Sequence, residues 1–254
     1  MGLHEREGPA FKKSKIPQAI GLAIDRSAFI KSVLKDSSIA GKTVTPQGLF
    51  SDPDDSSVDF AKDAAKGETG KYTDYNLTEA KKLWDEGKKE AGITSLTVAM
   101  NGDDTDASKS MSEYLQNALQ KLDGLKVTIN SLPFKTRLAR SASKDFDMVI
   151  TGWSADFPDA ISFLDLFTTG GSYNDGSWSN AEYDKLIEAS KTTDATNASK
   201  RYDDLKQAEQ ILMKEQGVVP VYQRVSAHLI NPALKGATYS PAGMYNYVGA
   251  TLKR

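Results

Sequence analysis

Cysteine is absent from this 254-residue chain, which excludes disulfides, thiolate metal sites and cysteine nucleophiles. Compartment stays open, because many exported proteins also lack the residue. Histidine is nearly absent: His4 and His228 stand at opposite ends of the sequence, so a histidine-based triad or metal site would need both to return to one place. No apolar run approaches the roughly 18 residues of a membrane span, and the N-terminus carries no apolar signal core. An excess of either charge is missing too. The 32 lysines and arginines face 34 aspartates and glutamates, with no basic stripe to track a phosphate backbone, so nucleic acid is not expected as a partner. There is no G-x-S-x-G elbow, no calcium-loop spacing, no glycine-rich phosphate cradle after a strand, and no carboxylate pair that stands out for acid–base work. Neither enzyme chemistry nor a cofactor or metal is therefore expected.

What is present is an apolar fraction of 39%, ample for a core, with a periodicity that changes along the chain. Residues 1–13 have no periodicity and read as a leader or linker. From Ser14, a candidate cap, a 3.6-residue stripe predicts one or two helices over residues 16–35. Residues 36–75, rich in Ser, Asp, Gly and Thr and holding Pro46 and Pro53, predict a long irregular surface segment. "NLTEAKKLWDEGKKEAG" predicts a helix that buries Leu77, Ala80, Leu83 and Trp84 and ends at Gly92. A strand over 96–101, a helix turning Met111, Tyr114, Leu115, Ala118, Leu119 and Leu122 inward, and a strand over 125–130 make a βαβ unit with parallel strands. A short helix over 134–143 and a strand over 147–151 continue the alternation. A helix capped by Ser179 or Asn180 and another from about 198 to 215 follow. "VVPVYQRVSAHLI" reads as extended, and the last residues as short strands in want of a partner. The expected class is α/β, a mixed sheet with parallel βαβ units flanked by helices.

In open α/β sheets ligands bind outside the carboxyl ends of strands, where the end of "DMVITGWSADFPD" falls. Gly152 permits close backbone approach, Trp153 offers a flat apolar wall and Asp156 a charge. Together they suit an amine-bearing ligand, whose charge-assisted hydrogen bond is worth roughly 1.5–3 kcal/mol. The same residues also read as a core tryptophan and a turn aspartate, and spacing alone does not choose between the two. Asp103, Asp104 and Asp106 read as a helix start rather than a cation site.

"GWSADFPDAISFLDLF", with "DFDMVITGW" before it and "NAEYDKLIEAS" and "VVPVYQRVSAHLINP" after it, resembles the oligopeptide- and dipeptide-binding proteins of ABC importers, solute-binding protein family 5. "KIPQAIGLAIDRSAFIKSVL" is similar to that family's "RQAIxxAIDR" helix, with Pro17 in place of the arginine, and "NLTEAKKLWDEGKKEAG" to its "AKxLLxEAG" helix. These blocks stand in the family's order and cover nearly all of residues 14–233. The resemblance implies a periplasmic-binding-protein-like lobe. It implies a receptor rather than an enzyme, closing two lobes around an oligopeptide and delivering it to an ABC permease. On the same ground Asp156 pairs with the peptide's α-amino group. Gly152, Trp153, Ser154 and Ala155 offer backbone hydrogen bonds to an extended peptide, and Tyr222 and Arg224 line the cleft. Ile150 stands where relatives that clamp a peptide carboxylate place arginine, which points to longer or less strictly sized peptides. Family members are longer, so residues 14–225 are expected to form the C-terminal lobe and residues 226–254 to cross back to an N-terminal lobe outside this sequence. Export follows from the resemblance, either as a lipid-anchored protein on a Gram-positive surface or in the periplasm. The alternatives are a receptor of the same fold for an oligosaccharide or metal chelate, which would bring no ammonium to Asp156, and an α/β enzyme lobe.

Overall fold

The structure, a computed structural model, describes residues 2–3, 11, 15–240 and 244–252. His4, the candidate cap Ser14 and most of the stretch read as a leader lie outside the described residues. Strand β3 (Leu96–Asp103) forms the middle of a four-stranded sheet. It runs parallel to β4 (Leu125–Leu132) on one side and to β5 (Met148–Val149) on the other. Helix α6 (Asp106–Leu119) makes the crossover between β3 and β4, as the βαβ pattern predicts, with Thr105 capping it by accepting from the Ser108 amide, and α7 (Phe134–Ala142) follows β4. The edge beyond β5 is closed by β1 (Gly2–Leu3), antiparallel, and Phe11 is buried in the main core. Part of the stretch read as a leader or linker therefore belongs to the fold, through contacts too short to leave a periodic pattern.

Helix α1 (Lys15–Ala23) is buried along nearly its whole length. It packs on α5 (Leu77–Ala91), where a side chain at Gly87 would come within 2.6 Å of Ile16 Cγ1; the glycine is what allows the two axes to approach. Gly92 ends α5 in the left-handed region, as expected. After α1 come α2 (Arg26–Phe29) and a five-residue π-helical turn, Ile30–Leu34. Asn76 and Asp25 cap α5 and α2 by accepting amide hydrogen bonds. The first core joins α1, α5 and α6 to the sheet through Ile20, Trp84, Met100 and Leu119.

A second core lies outside the sheet, among α8 (Ile161–Leu164), α9 (Ala181–Lys191) and α10 (Ala198–Glu215), with Tyr183, Leu205 and Leu212 fully buried. Asn180, the second of the two candidate caps, accepts from the Glu182 and Tyr183 amides. The expectation of an irregular surface segment over 36–75 is corrected here. That segment carries β2 (Ile39–Ala40), α3 (Phe60–Ala64) and α4 (Gly70–Thr73), and Phe60 is buried edge-on against Tyr202 at 5.4 Å. Its apolar residues are too sparse to show a period, but they fill the second core at single points.

From "VVPVYQRVSAHLI" only β6 (Tyr222–Gln223) forms a strand, paired with β2. The tail strands pair with one another: β7 (Leu234–Lys235) with β10 (Thr251–Leu252), and β8 (Thr238–Tyr239) with β9 (Tyr245–Asn246).

Candidate ligand-binding site

Past β5 the chain keeps one more ladder bond, from the Ile150 amide to the Asn101 carbonyl, and then leaves the sheet. Over residues 151–155 no backbone N–H or C=O is hydrogen-bonded to another described residue, and Thr151, Gly152, Trp153 and Ser154 are exposed. Buried backbone groups seldom go unpaired, and these mostly exposed ones are open to solvent or to a ligand. A side chain built at Gly152 meets nothing within 4 Å, so the space in front of it is open.

The loop is held from behind at four points. Trp153 Nε1 donates to the Ser162 carbonyl (2.9 Å), which fixes the indole while leaving the residue 38% exposed. Ala155, the single buried residue of the run, packs with Leu49 and Phe163. Asp159 takes a bidentate hydrogen bond from Arg201 of α10 (2.8 and 3.0 Å) and accepts from the Ile161 amide. The Ser162 hydroxyl donates to the Asp159 carbonyl (2.8 Å). Asp156 differs from Asp159: among the described residues nothing bonds or ion-pairs with its exposed carboxylate. One acid of "ADFPD" is structural and the other is free.

Val44 packs beside Ala155 and its neighbours, and the buried Glu209 of α10 controls Val44. One Glu209 oxygen accepts from the Val44 amide (2.8 Å) and the other from the Thr45 hydroxyl (2.7 Å) and amide (3.2 Å). Burial pushes this carboxyl up to about 7, and the three donors only partly oppose the rise. The same loop reaches β6 through a reciprocal pair, Gln47 N–H to Gln223 Oε1 (2.9 Å) and Gln223 Nε2 to the Gln47 carbonyl (3.0 Å). Tyr222 is half-buried against Phe29 (5.6 Å), and Arg224 is exposed with its charge felt by Asp36. Gly152, Trp153, Ser154, Ala155 and Asp156 are thus one continuous feature. Tyr222 and Arg224 make no hydrogen bond or ring contact with residues 152–156 among the described residues.

Four residues outside the expected set shape the site. Asp159, Arg201 and Glu209 support it. Tyr173 brings its ring within 4.8 Å of Trp153. A carboxylate inside the apolar stripe of α10, beside Ala208 and Leu212, is a signal the sequence carries for Glu209; no local pattern marks Tyr173. Next to it, Asp175 is raised by burial, against the pull of Lys144 and Arg137. Arg137 donates to Asp103 (2.7 Å), which occupies that acid in the fold, and no metal-competent cluster occurs among the described residues.

A mixed sheet with parallel strands at its centre, flanked by helices, is the architecture of the periplasmic-binding-protein fold. Residues 1–175 match the model of the bacterial extracellular solute-binding proteins, family 5 middle, and the chain belongs to that family. It is 34% identical over 248 residues to a dipeptide-binding protein of Lactococcus lactis subsp. cremoris, covering 96% of this chain and 44% of that one. It is 29% identical to the dipeptide-binding protein DppE of Bacillus subtilis, over 92% and 41%. The chain spans less than half the length of these relatives. Among solved structures, a peptide-binding protein of a peptide ABC transporter aligns at 42% identity with a TM-score of 0.82, covering 87% of this chain and 96% of that one. Listeria monocytogenes OppA bound to peptide aligns at 35% identity and 0.82, over 96% and 46%.

Proposed function

We propose that this chain is the peptide-capturing lobe of an extracellular receptor that hands oligopeptides to an ABC permease. The observation that carries the reading is the unpaired backbone over residues 151–155 ending at the free Asp156 carboxylate. An extended peptide has what this edge lacks. Its backbone adds as a strand to Gly152, Trp153, Ser154 and Ala155, and its α-ammonium reaches Asp156. The names of the relatives, dipeptide-binding proteins and a peptide-bound OppA, support the same ligand class. Tyr222 and Arg224 line the cleft further along, in keeping with a half-buried Tyr222 and an exposed Arg224. The protein binds and releases rather than reacts: an exposed anchor with an ordinary backbone edge offers no nucleophile paired with a base. Residues 226–254 complete the lobe that the longer relatives carry beyond this span, a role supported by the exposure of Leu229, Ile230 and Val248. The receptor works outside the cytoplasmic membrane, held there by a lipid anchor or free in a periplasm.

The test is calorimetric titration with a pool of short peptides, free and N-acetylated, on the protein and on Asp156→Asn. Free peptides are expected to bind, and acetylation and the substitution each to weaken binding tenfold or more, about 1.4 kcal/mol. Equal binding of acetylated peptides would remove Asp156 as the anchor, and binding of sugars in place of peptides would overturn the ligand class.

A further inference from the structure

Residues 43–49 form neither helix nor strand, yet the run is tied to several separate parts of the molecule. The Val44 and Thr45 amides and the Thr45 hydroxyl all donate to the Glu209 carboxylate of α10, with Thr45 and Glu209 both wholly buried. Gln47 exchanges its two hydrogen bonds with Gln223 of β6, the neighbour of Tyr222. The Gly48 amide donates to Asp59 (2.6 Å), and Leu49 and Val44 pack with Ala155, the one buried residue of the unpaired edge. Val44 also packs on the second core. A shift of this run is therefore a shift of the support under Ala155.

Glu209 holds the run without a counter-charge. Among the described residues no charged group acts on its carboxyl, and of the titratable groups on the elements around it the Tyr183 phenol of α9 feels its charge. Tyr183 donates to the Leu164 carbonyl, Asp63 of α3 is engaged by Lys66 and Lys206, and Arg201 is taken up by Asp159. Residues 43–49 carry no titratable side chain. Burial without a cation favours the neutral acid, whose proton the Thr45 hydroxyl accepts by rotating while the two amides stay bonded.

Resting on the peptide reading above, we infer that Glu209 is a positioning residue for the ligand: its proton keeps residues 43–49 seated under Ala155, so that peptide capture takes up a proton and tightens in a mildly acidic medium. Ionised, Glu209 is a buried charge that the seated run supplies with hydrogen bonds but with no cation, and lifting the run off α10 exchanges those bonds for water. The two equilibria are linked. Whatever factor the proton adds to peptide affinity, the peptide adds to the proton affinity of Glu209.

The experiment is calorimetric titration of short free-amine peptides between about pH 5.5 and about pH 7.5 on the unaltered chain, Glu209→Gln and Val44→Ala. Glu209→Gln stays neutral throughout. The unaltered chain is expected to bind as tightly as Glu209→Gln at the acid end and about fivefold more weakly at the other. The peptide's own α-ammonium, the histidines, and Asp175 and Asp204, both raised by burial, are common to the two proteins and cancel in that ratio. Near neutrality, titrations in buffers of different ionisation enthalpy should show more proton uptake on binding in the unaltered chain than in Glu209→Gln. Val44→Ala keeps the carboxyl but trims its link to Ala155, so it should retain the pH dependence of stability and lose most of that of affinity. Should Glu209→Gln fail to fold, the same ratio taken against Val44→Ala decides. A purely structural Glu209 would make Glu209→Gln the weaker binder at every pH. That result, a constant ratio, or a full pH effect in Val44→Ala removes the coupling and leaves the receptor reading standing. If no peptide binds the unaltered chain at any pH, the receptor reading fails and this inference with it.

Discussion

At the scale of single residues, two charges on α10 decide whether the unpaired edge keeps its shape. Arg201 ties the site loop to the helix through Asp159, with both side chains 20% exposed. Arg201→Ala should cost about 1 kcal/mol in urea unfolding, since the pair is bidentate but not dry, and should shift the Trp153 emission as Ser162 is released. Glu209 acts in the opposite sense from an ordinary surface carboxylate. Its carboxyl sits at about 7 in the folded chain, above the value it takes when unfolded, so across roughly pH 4.5 to 7 the native state binds the proton more tightly. Stability from this group is therefore full at low pH and falls as pH rises towards 7. Asp36, Asp55, Asp63 and Glu86 are shifted downward, so their contributions are lost below this window and do not mask it. Denaturant midpoints measured from pH 5 to 7.5 should show that decline in the parent chain and a shallower one in Glu209→Gln, where Asp175 and Asp204, also raised by burial, keep their own contributions of the same sign.

At the scale of elements, α1 is the keystone, because two different contacts seat it. Gly87 lets α5 lie against Ile16, and Arg26, just beyond α1, reaches across the chain. Buried and lowered to about 10 by desolvation, Arg26 donates to the carbonyls of Pro220 (2.7 Å), Thr73 (2.8 Å), Gly21 (3.0 Å) and Ile24 (3.3 Å). It thereby joins α1, α4 and the approach to β6. Arg26→Met should destabilise by at least about 3 kcal/mol, because it orphans several buried carbonyls at once. Gly87→Ala should also destabilise, by about 1 kcal/mol net, although alanine is the better helix former: the crowding against Ile16 exceeds the gain in propensity. Thermal unfolding followed by circular dichroism measures both.

At the scale of the whole molecule, the tail behaves as an appendage. Leu229, Ile230, Tyr247, Val248 and Leu252 are exposed, and among the described residues the four tail strands pair with one another. An apolar surface of this kind without a partner favours self-association. Truncation after Val225 should leave the unfolding midpoint nearly unchanged while reducing concentration-dependent association in light scattering. A large loss of stability would instead place the tail inside the lobe's own core.

The sequence by itself determined the elements with strong local signals. The βαβ unit, α5 with its Gly92 end and α10 over 198–215 each follow from a period or cap confined to a few consecutive residues. It also singled out the run from Gly152 to Asp156 as a candidate, because the run is contiguous and its residue types are unusual after a strand. Only the tertiary structure decided what depends on pairs far apart in the chain. Phe60 is buried because Tyr202 meets it, the opening stretch joins the sheet because β5 has a free edge, and Asp159 is structural where Asp156 is free because Arg201 reaches one and not the other. Tyr173 belongs with Trp153 for the same reason: a period or a cap records what neighbours along the chain share, whereas a packing contact records where the fold brings two distant segments together.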